Sequence, residues 1–397
     1  MLGPRQVGKS SLLGDLLANR PAWTILLQDY EVFQDHLRDP GLFKRQALAR
    51  LEHATSRRPL VLLLDEVQKL PQLLDDCQWL LDQHRDRVRL FATGSSARKL
   101  RRANVNLLPG RIRTRFLHPL IWQEIAGIKR TRAAFHFSTK PAPWTDAGKG
   151  GEWKGALPWL DCLVWGTLPG ILSAADKDRS DLLRAYALTY LREEIQAEAL
   201  VRSLQGFSRF LELAAIESGN ITNYQKLASD VGLSLNTVKN YYGVLFDTLV
   251  ALPLEPYVRN ARKRLVTSSK LYFFDIGVRN ATAGLPLSRQ LCTLDPGRLF
   301  EHWVVLECMR RIDYFAPHYR CYFWRTAAGA EVDLVIDTKR RLIPIEIKWT
   351  NRTGAVRLKG LRNFMADYGC KQGYVIGNFA APEVLERGIT ALPWWWI

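Results

Sequence analysis

The chain opens MLGPRQVGKSSLL, and this stretch constrains the fold more than any other. Gly3-x-x-x-x-Gly8-Lys9-Ser10 has the G-x-x-x-x-G-K-[ST] spacing of a phosphate-binding loop, in which backbone N–H groups cradle phosphate oxygens. Such a loop joins a buried strand to a helix. SLLGDLLANR has the apolar spacing for the helix, but only Met1 and Leu2 precede Gly3. The expected fold is therefore α/β with its first strand truncated. A missing central strand would leave its neighbours' backbone groups unpaired, at about 1–3 kcal/mol each, against a domain stability on the order of 5–15 kcal/mol. The economical expectation is a natural start upstream of Met1, with nucleotide binding weakened in the chain as written.

Three apolar runs, WTILLQD (23–29), PLVLLLDEV (59–67) and VRLFATGSS (88–96), alternate with helix-like segments. That alternation predicts a parallel sheet covered by helices. The second run suits a strand buried on both faces and ends in two carboxylates. Asp65 would reach a Mg²⁺ ion and Glu66 would orient the attacking water, the division of labour phosphoryl transfer needs. The loop Gly3, Pro4, Arg5, Gln6, Val7 and Gly8 would wrap the phosphates of a nucleotide, Lys9 would reach the outer ones, and Ser10 would ligate the metal. Thr93 or Ser95 would sense the γ-phosphate from the neighbouring strand, or would simply end that strand. Arg111 and Arg113 are candidates for an arginine finger towards a second subunit, with a DNA-facing or plain surface role as the alternative.

Lys plus Arg number 56 against 39 Asp plus Glu, a formal charge of +17. The excess is clustered: ten basic residues against Glu124 alone between Arg98 and Arg132, and five with no acid between Arg259 and Lys270. Such clusters suit a polyanion such as DNA, although solvated basic faces would look the same. Six scattered cysteines (77, 162, 292, 308, 321, 370) without a C-x-x-C pair fit a reducing compartment. No apolar run approaches the length of a membrane span. A cytoplasmic protein without membrane attachment is expected, and a homo-oligomer is allowed. At 397 residues, two or three domains are expected.

TNYQKLASDVGLSLNTVKNYYGVLFDTLV (222–250) reads as helix, turn, helix. Leu227, Ala228 and Val231 make the first apolar face, Gly232 the turn and Ser234 the next N-cap. The second helix buries Leu235, Val238, Tyr242 and Leu245 and leaves Asn236, Thr237, Lys239 and Asn240 outside. LPLEPYV and the basic NARKRLV would form a wing. The module would touch DNA or serve only to pack between domains.

EVDLVID (331–337) and LIPIEIKW (342–349) flank TKRR and read as a hairpin. With a four-residue loop, Asp333 faces Glu346 and Glu331 faces Lys348, all on one face. Two opposed carboxylates repel, and a divalent cation between them would turn that liability into a site. In FEHWVVLECMRRI, Glu301 shares a helical stripe with Val304, Val305 and Cys308, and so needs either a metal or a structural partner such as Arg325 or a capping N–H. The tail ALPWWWI reads as core or subunit contact. The order E…D…E-x-K resembles the restriction-endonuclease-like PD-(D/E)xK pattern. That resemblance implies Asp333, Glu346 and the preceding helix's Glu301 as Mg²⁺ ligands, with Lys348 positioning or activating water. A retained fold that no longer cuts is the alternative.

Taken together, GPRQVGKSSLL, LLLDEVQKLPQLL, ATGSSARKL, NLLPGRI, GTLPG, YLREEI, LYFFDIGVRN, FWRTAAGAEVDLVI and PIEIKW resemble prokaryotic ATPases of the AAA-plus superfamily with a poorly characterised C-terminal domain. The expected organisation is a P-loop ATPase domain (1–130), a linker and helical segment (131–203, with 138–155 irregular), a winged-helix-like module (204–270) and a restriction-endonuclease-like domain (271–397). The implied function is an ATPase coupled to a Mg²⁺-dependent, DNA-acting endonuclease-like domain. The alternative is a nucleotide-switched DNA-binding or regulatory protein without cleavage.

Overall fold

A computed structural model describes residues 1–95, 113–127, 135, 137, 159–190, 204–258 and 268–397. The chain divides into two compact units, Met1–His118 with Gly243–Val250, and Pro119–Tyr242 with Ala251–Ile397. The boundaries expected at 130/131, 203/204 and 270/271 do not coincide with these limits.

In the first unit, β1 (Ala22–Leu26), β2 (Leu60–Asp65) and β3 (Val88–Ala92) form a parallel sheet in the order β1-β2-β3. β2 is covered on both faces. Leu62 and Leu64 join a core with Ile25, Phe43, Leu74 and Leu80, while Val61 and Leu63 pack with Leu13 and Leu17. Those last two leucines belong to α1 (Lys9–Leu17), which follows the glycine-rich loop. α2 (Tyr30–Arg38) is capped by Asp29, whose side chain accepts from Glu31 N and Val32 N. α3 (Leu42–Leu51) and α4 (Leu73–His84) complete the core.

The truncated first strand has a counterpart here. Leu2 bridges Gly94 and Phe116, both in parallel. Gly94 N donates to Met1 O (3.0 Å), Leu2 N to Arg115 O (2.9 Å) and Leu117 N to Leu2 O (2.8 Å). Met1–Gly3 thus acts as a strand stub between the end of β3 and residues 115–117, and it pairs the backbone groups nearest the loop. At that end of the sheet Gly94, Arg115 and Leu117 find backbone partners in Met1–Gly3. Gly3 must be glycine here, because a Cβ would lie 2.3 Å from Leu117 O.

The second unit is built on an eight-stranded sheet, ordered β10-β11-β9-β8-β7-β6-β4-β5. Its strands are β4 (Ala251–Pro256), β5 (Lys270–Phe273), β6 (Arg320–Arg325), β7 (Glu331–Asp337), β8 (Leu342–Lys348), β9 (Gly373–Gly377), β10 (Glu383–Glu386) and β11 (Ile389–Pro393). A long helix, α5 (Pro296–Phe315), packs Val304, Val305 and Cys308 with Leu334, Ile336, Ile345 and Ile347. α6 (Lys359–Tyr368) supplies Leu361 and Phe364 to a second cluster with Val335 and Val375. The tail enters the core as expected: Trp394, Trp396 and Ile397 are buried, and Trp394 meets Trp122 edge-on at 5.1 Å.

The helix-turn-helix forms as read. Its helices are Tyr224–Val231 and Leu235–Asp247, Gly232 takes φ 69°, and Ser234 Oγ accepts from Thr237 N (3.1 Å). Leu235 departs from the expectation and is only half-buried. The wing also departs. β4 pairs with β5 but also lies parallel to β6 (Glu255↔Tyr322, Pro256↔Phe323), so it belongs to the large sheet. The basic part of the wing (259–267), the irregular segment 138–155, YLREEI beyond Tyr190, NLLPGRI and Arg111 lie outside the described residues. Among the described residues, no helix is long and apolar enough to cross a membrane.

Candidate functional site

The carboxyl ends of β2 and β3 meet the start of α1, the place where open parallel α/β sheets bind ligands. Gly8 takes φ 91° and Gln6 φ 62°, left-handed values that interrupt the loop as in an anion-binding nest. Arg5 is half-buried, and Gly3, Pro4 and Val7 are buried. Lys9 is 5% exposed, its ammonium donating to Gly3 O (3.0 Å) and Pro4 O (2.9 Å) and lying 3.8 Å from Glu66 Oε1.

Asp65 collects hydroxyls from two other elements. Ser10 Oγ donates to its two oxygens at 3.0 and 2.9 Å, and Thr93 Oγ1 donates to Oδ1. One carboxylate and a hydroxyl are the hard oxygen donors Mg²⁺ prefers, so these residues fit that ion. Glu66 sits at φ 55°, ψ 48°, which costs a non-glycine residue on the order of 1–3 kcal/mol. The bond from Glu66 N to Thr93 Oγ1 (2.9 Å) offsets part of that cost. Glu66 Oε2 accepts from Ser95 Oγ (3.0 Å) and from Gln68 Nε2, which also donates to Ser95 Oγ (2.9 Å). Sequence reasoning passed over Gln68, although its position two residues after the strand-end acids was the available signal. Of the two candidate finger residues, Arg113 is described and exposed.

The second constellation is in the other unit. The hairpin register is Leu334↔Ile345 through Asp337↔Leu342, the pairing expected from a four-residue loop. Regular pairing stops at Leu334, and Asp333 Oδ2 accepts instead from Ile347 N (2.7 Å). Lys348 Nζ joins the two acids, 3.4 Å from Asp333 Oδ2 and 2.7 Å from Glu346 Oε1. Glu346 Oε2 is buried with no hydrogen-bond partner.

Glu301 is held by Lys270 Nζ (3.1 Å) and Tyr272 OH (3.2 Å), not by Arg325. Lys270 Nζ also pairs with Glu331 Oε1 at 2.8 Å. This lysine was counted with the basic run of the wing, yet it is 5% exposed. Burial alone would lower its pKa, but Glu301, Glu331 and Asp333 overcome burial and raise it. Two ammonium groups therefore stand where a metal was expected. Among the described residues, no group of three or more His, Cys, Asp or Glu side chains is placed to hold a metal ion.

Residues 1–126 match the family described as AAA domain. The N-terminal part of the chain is thus similar to AAA domains, and the site just described lies within the matched residues. Residues 158–289 match a domain of unknown function, DUF8612, and residues 296–397 match another, DUF4143. The chain is 24% identical over 369 residues to Uncharacterized protein Rv2008c of Mycobacterium tuberculosis and to Uncharacterized protein Mb2031c of Mycobacterium bovis. Each alignment covers 92% of this chain and 73% of the relative.

Burial, with the neighbouring Asp333 carboxylate, pushes the Glu346 carboxyl from 4.5 up to about 7, against the opposing Lys348 ammonium. The folded state then holds this proton more tightly than the unfolded chain does. Its contribution to stability is full below the ordinary carboxyl value and is lost as pH rises through about 7. Chemical unfolding in chelator between about pH 5 and pH 8 should therefore show Glu346→Gln losing about 2 kcal/mol less stability than wild type. Equal pH dependence of the two proteins would contradict this assignment.

Proposed function

We propose that the N-terminal unit binds ATP with Mg²⁺ and hydrolyses it. The observation that carries this reading is the convergence of Ser10 and Thr93 on Asp65, beside buried Lys9 and Glu66. In this reading Lys9 exchanges its loop carbonyls for the outer phosphates. Ser10 and Asp65 hold the metal, and the backbone from Gly3 to Ser10 wraps the phosphate chain. Magnesium, when bound, supplies positive charge to the phosphate oxygens. Glu66 orients the water and takes its proton, while Thr93 and Ser95 mark the γ-phosphate side from the end of β3.

Full-length protein assayed for ATP binding and hydrolysis separates these roles. Lys9→Ala should lose binding, because the cation directed at the phosphates is gone. Glu66→Gln should bind ATP and turn over about 10²-fold more slowly. Equal loss of binding in the two variants would contradict the roles assigned.

The unpartnered Glu346 Oε2 beside Asp333 and Lys348 favours a second reading for the C-terminal unit. Here the unit acts on DNA, with Asp333 and Glu346 as metal ligands, Lys348 at the water or scissile phosphate, and Glu301 kept by Lys270 as a flanking acid. Exposed Asn236, Lys239 and Asn240 on the second helix of the helix-turn-helix are residue types suited to DNA contact. A nucleotide-switched DNA-binding protein that never cuts is the competing form of this reading. Plasmid nicking with Mn²⁺ that disappears in Lys348→Ala, while metal binding persists, would support cleavage. Intact plasmid with the wild type leaves the binding form standing.

A further inference from the structure

Glu66 is expected to present a carboxylate oxygen to water, yet its surroundings hold that carboxylate elsewhere. Oε2 carries two donors, Gln68 Nε2 and Ser95 Oγ at 3.0 Å. Oε1 lies 3.8 Å from the Lys9 ammonium. Gln68, Ser95 and Glu66 close a triangle, because Gln68 Nε2 also donates to Ser95 Oγ at 2.9 Å. A carboxylate can only accept, so the amide nitrogen of Gln68 must be the atom turned towards it.

The other end of that amide is unfinished. Gln68 is 5% exposed, and its Oε1 is buried without a hydrogen-bond partner. An unmade bond on a buried carbonyl opposes the placement that the two amide N–H contacts favour. Gln68 also walls a cavity of about 480 Å³ with Leu27, Gln28, Tyr30, Phe33 and Lys69. Withdrawal into that space would hydrate the carbonyl and free Glu66.

We propose that Gln68 is a positioning residue that clamps Glu66 in an idle orientation, and that hydrolysis requires Gln68 to withdraw into the adjoining cavity. This rests on the nucleotide reading of the site. Gln68 touches neither ATP nor metal in this account. It acts through the direction of the Glu66 carboxylate.

The test uses the full chain with Mg²⁺, measuring kcat for ATP and the Kd of a fluorescent non-hydrolysable ATP analogue in wild type, Gln68→Leu and Gln68→Asn. Leucine removes both amide ends. Asparagine, one methylene shorter, stays polar but cannot reach Glu66, so it gives the readout if the leucine variant does not fold. The expected result is kcat raised about tenfold, the factor for losing roughly one hydrogen bond to a charged group. The Kd should stay within about twofold, a split that a merely structural defect would not produce. Unchanged or lowered kcat in a variant that binds the analogue like wild type overturns the clamp alone. Absence of analogue binding by the wild type overturns the nucleotide reading and the clamp with it.

Discussion

Three separate pieces of the N-terminal unit are tied together by one carboxylate. Asp65, at the end of β2, accepts hydroxyl hydrogens from Ser10 at the start of α1 and from Thr93 just past β3. Asp65 is itself buried among these donors. A buried charge is tolerable only when paired or hydrogen-bonded, so the ends of the strands and the start of the helix must stay in register for it. The same register sets Lys9 beside Glu66 and places the strand stub Met1–Gly3 between β3 and residues 115–117. The loop geometry depends on that stub, since Gly3 passes Leu117 O too closely for any side chain.

The C-terminal unit solves a similar problem with lysines. Glu301, Glu331, Asp333 and Glu346 lie near Lys270 and Lys348, four carboxylates against two ammonium groups. Removing one partner from a buried ion pair is far more damaging than the pair is beneficial, which makes buried Lys270 structural whatever else it does. The compensation is incomplete at Glu346, whose raised pKa and unpartnered oxygen both reflect it. An excess of negative charge around a half-open oxygen is the physical basis for keeping a cation-assisted reading in play.

What the sequence made legible was local. The turn TKRR sets the register of β7 and β8, because a four-residue loop leaves one pairing and strand side chains alternate with period two. Gly232 and Ser234 announce the helix-turn-helix through a left-handed residue and an N-cap. The phosphate loop and the acids after β2 are likewise contained in short windows. What stayed hidden depends on contacts between distant residues. β4 reads as part of a wing until its parallel pairing with β6, Glu255 against Tyr322, draws it into the large sheet. Lys270 looks like one more surface cation in a basic run, and only the fold brings it to Glu301 and Glu331. Gln68 sits beside the acids in sequence, but its contact with Ser95 forms only when β3 brings that residue alongside.

The central claim is that Ser10 and Asp65 form the metal side of a nucleotide site, and ligand-dependent thermal unfolding tests it directly. A ligand that binds only the folded state raises Tm in proportion to its affinity. ATP with Mg²⁺ should raise the Tm of the wild-type chain more than ATP with chelator does. Asp65→Asn and Ser10→Ala should each retain a shift with ATP alone and lose the Mg²⁺ increment. The same Mg²⁺ increment in wild type and in both variants would contradict the account.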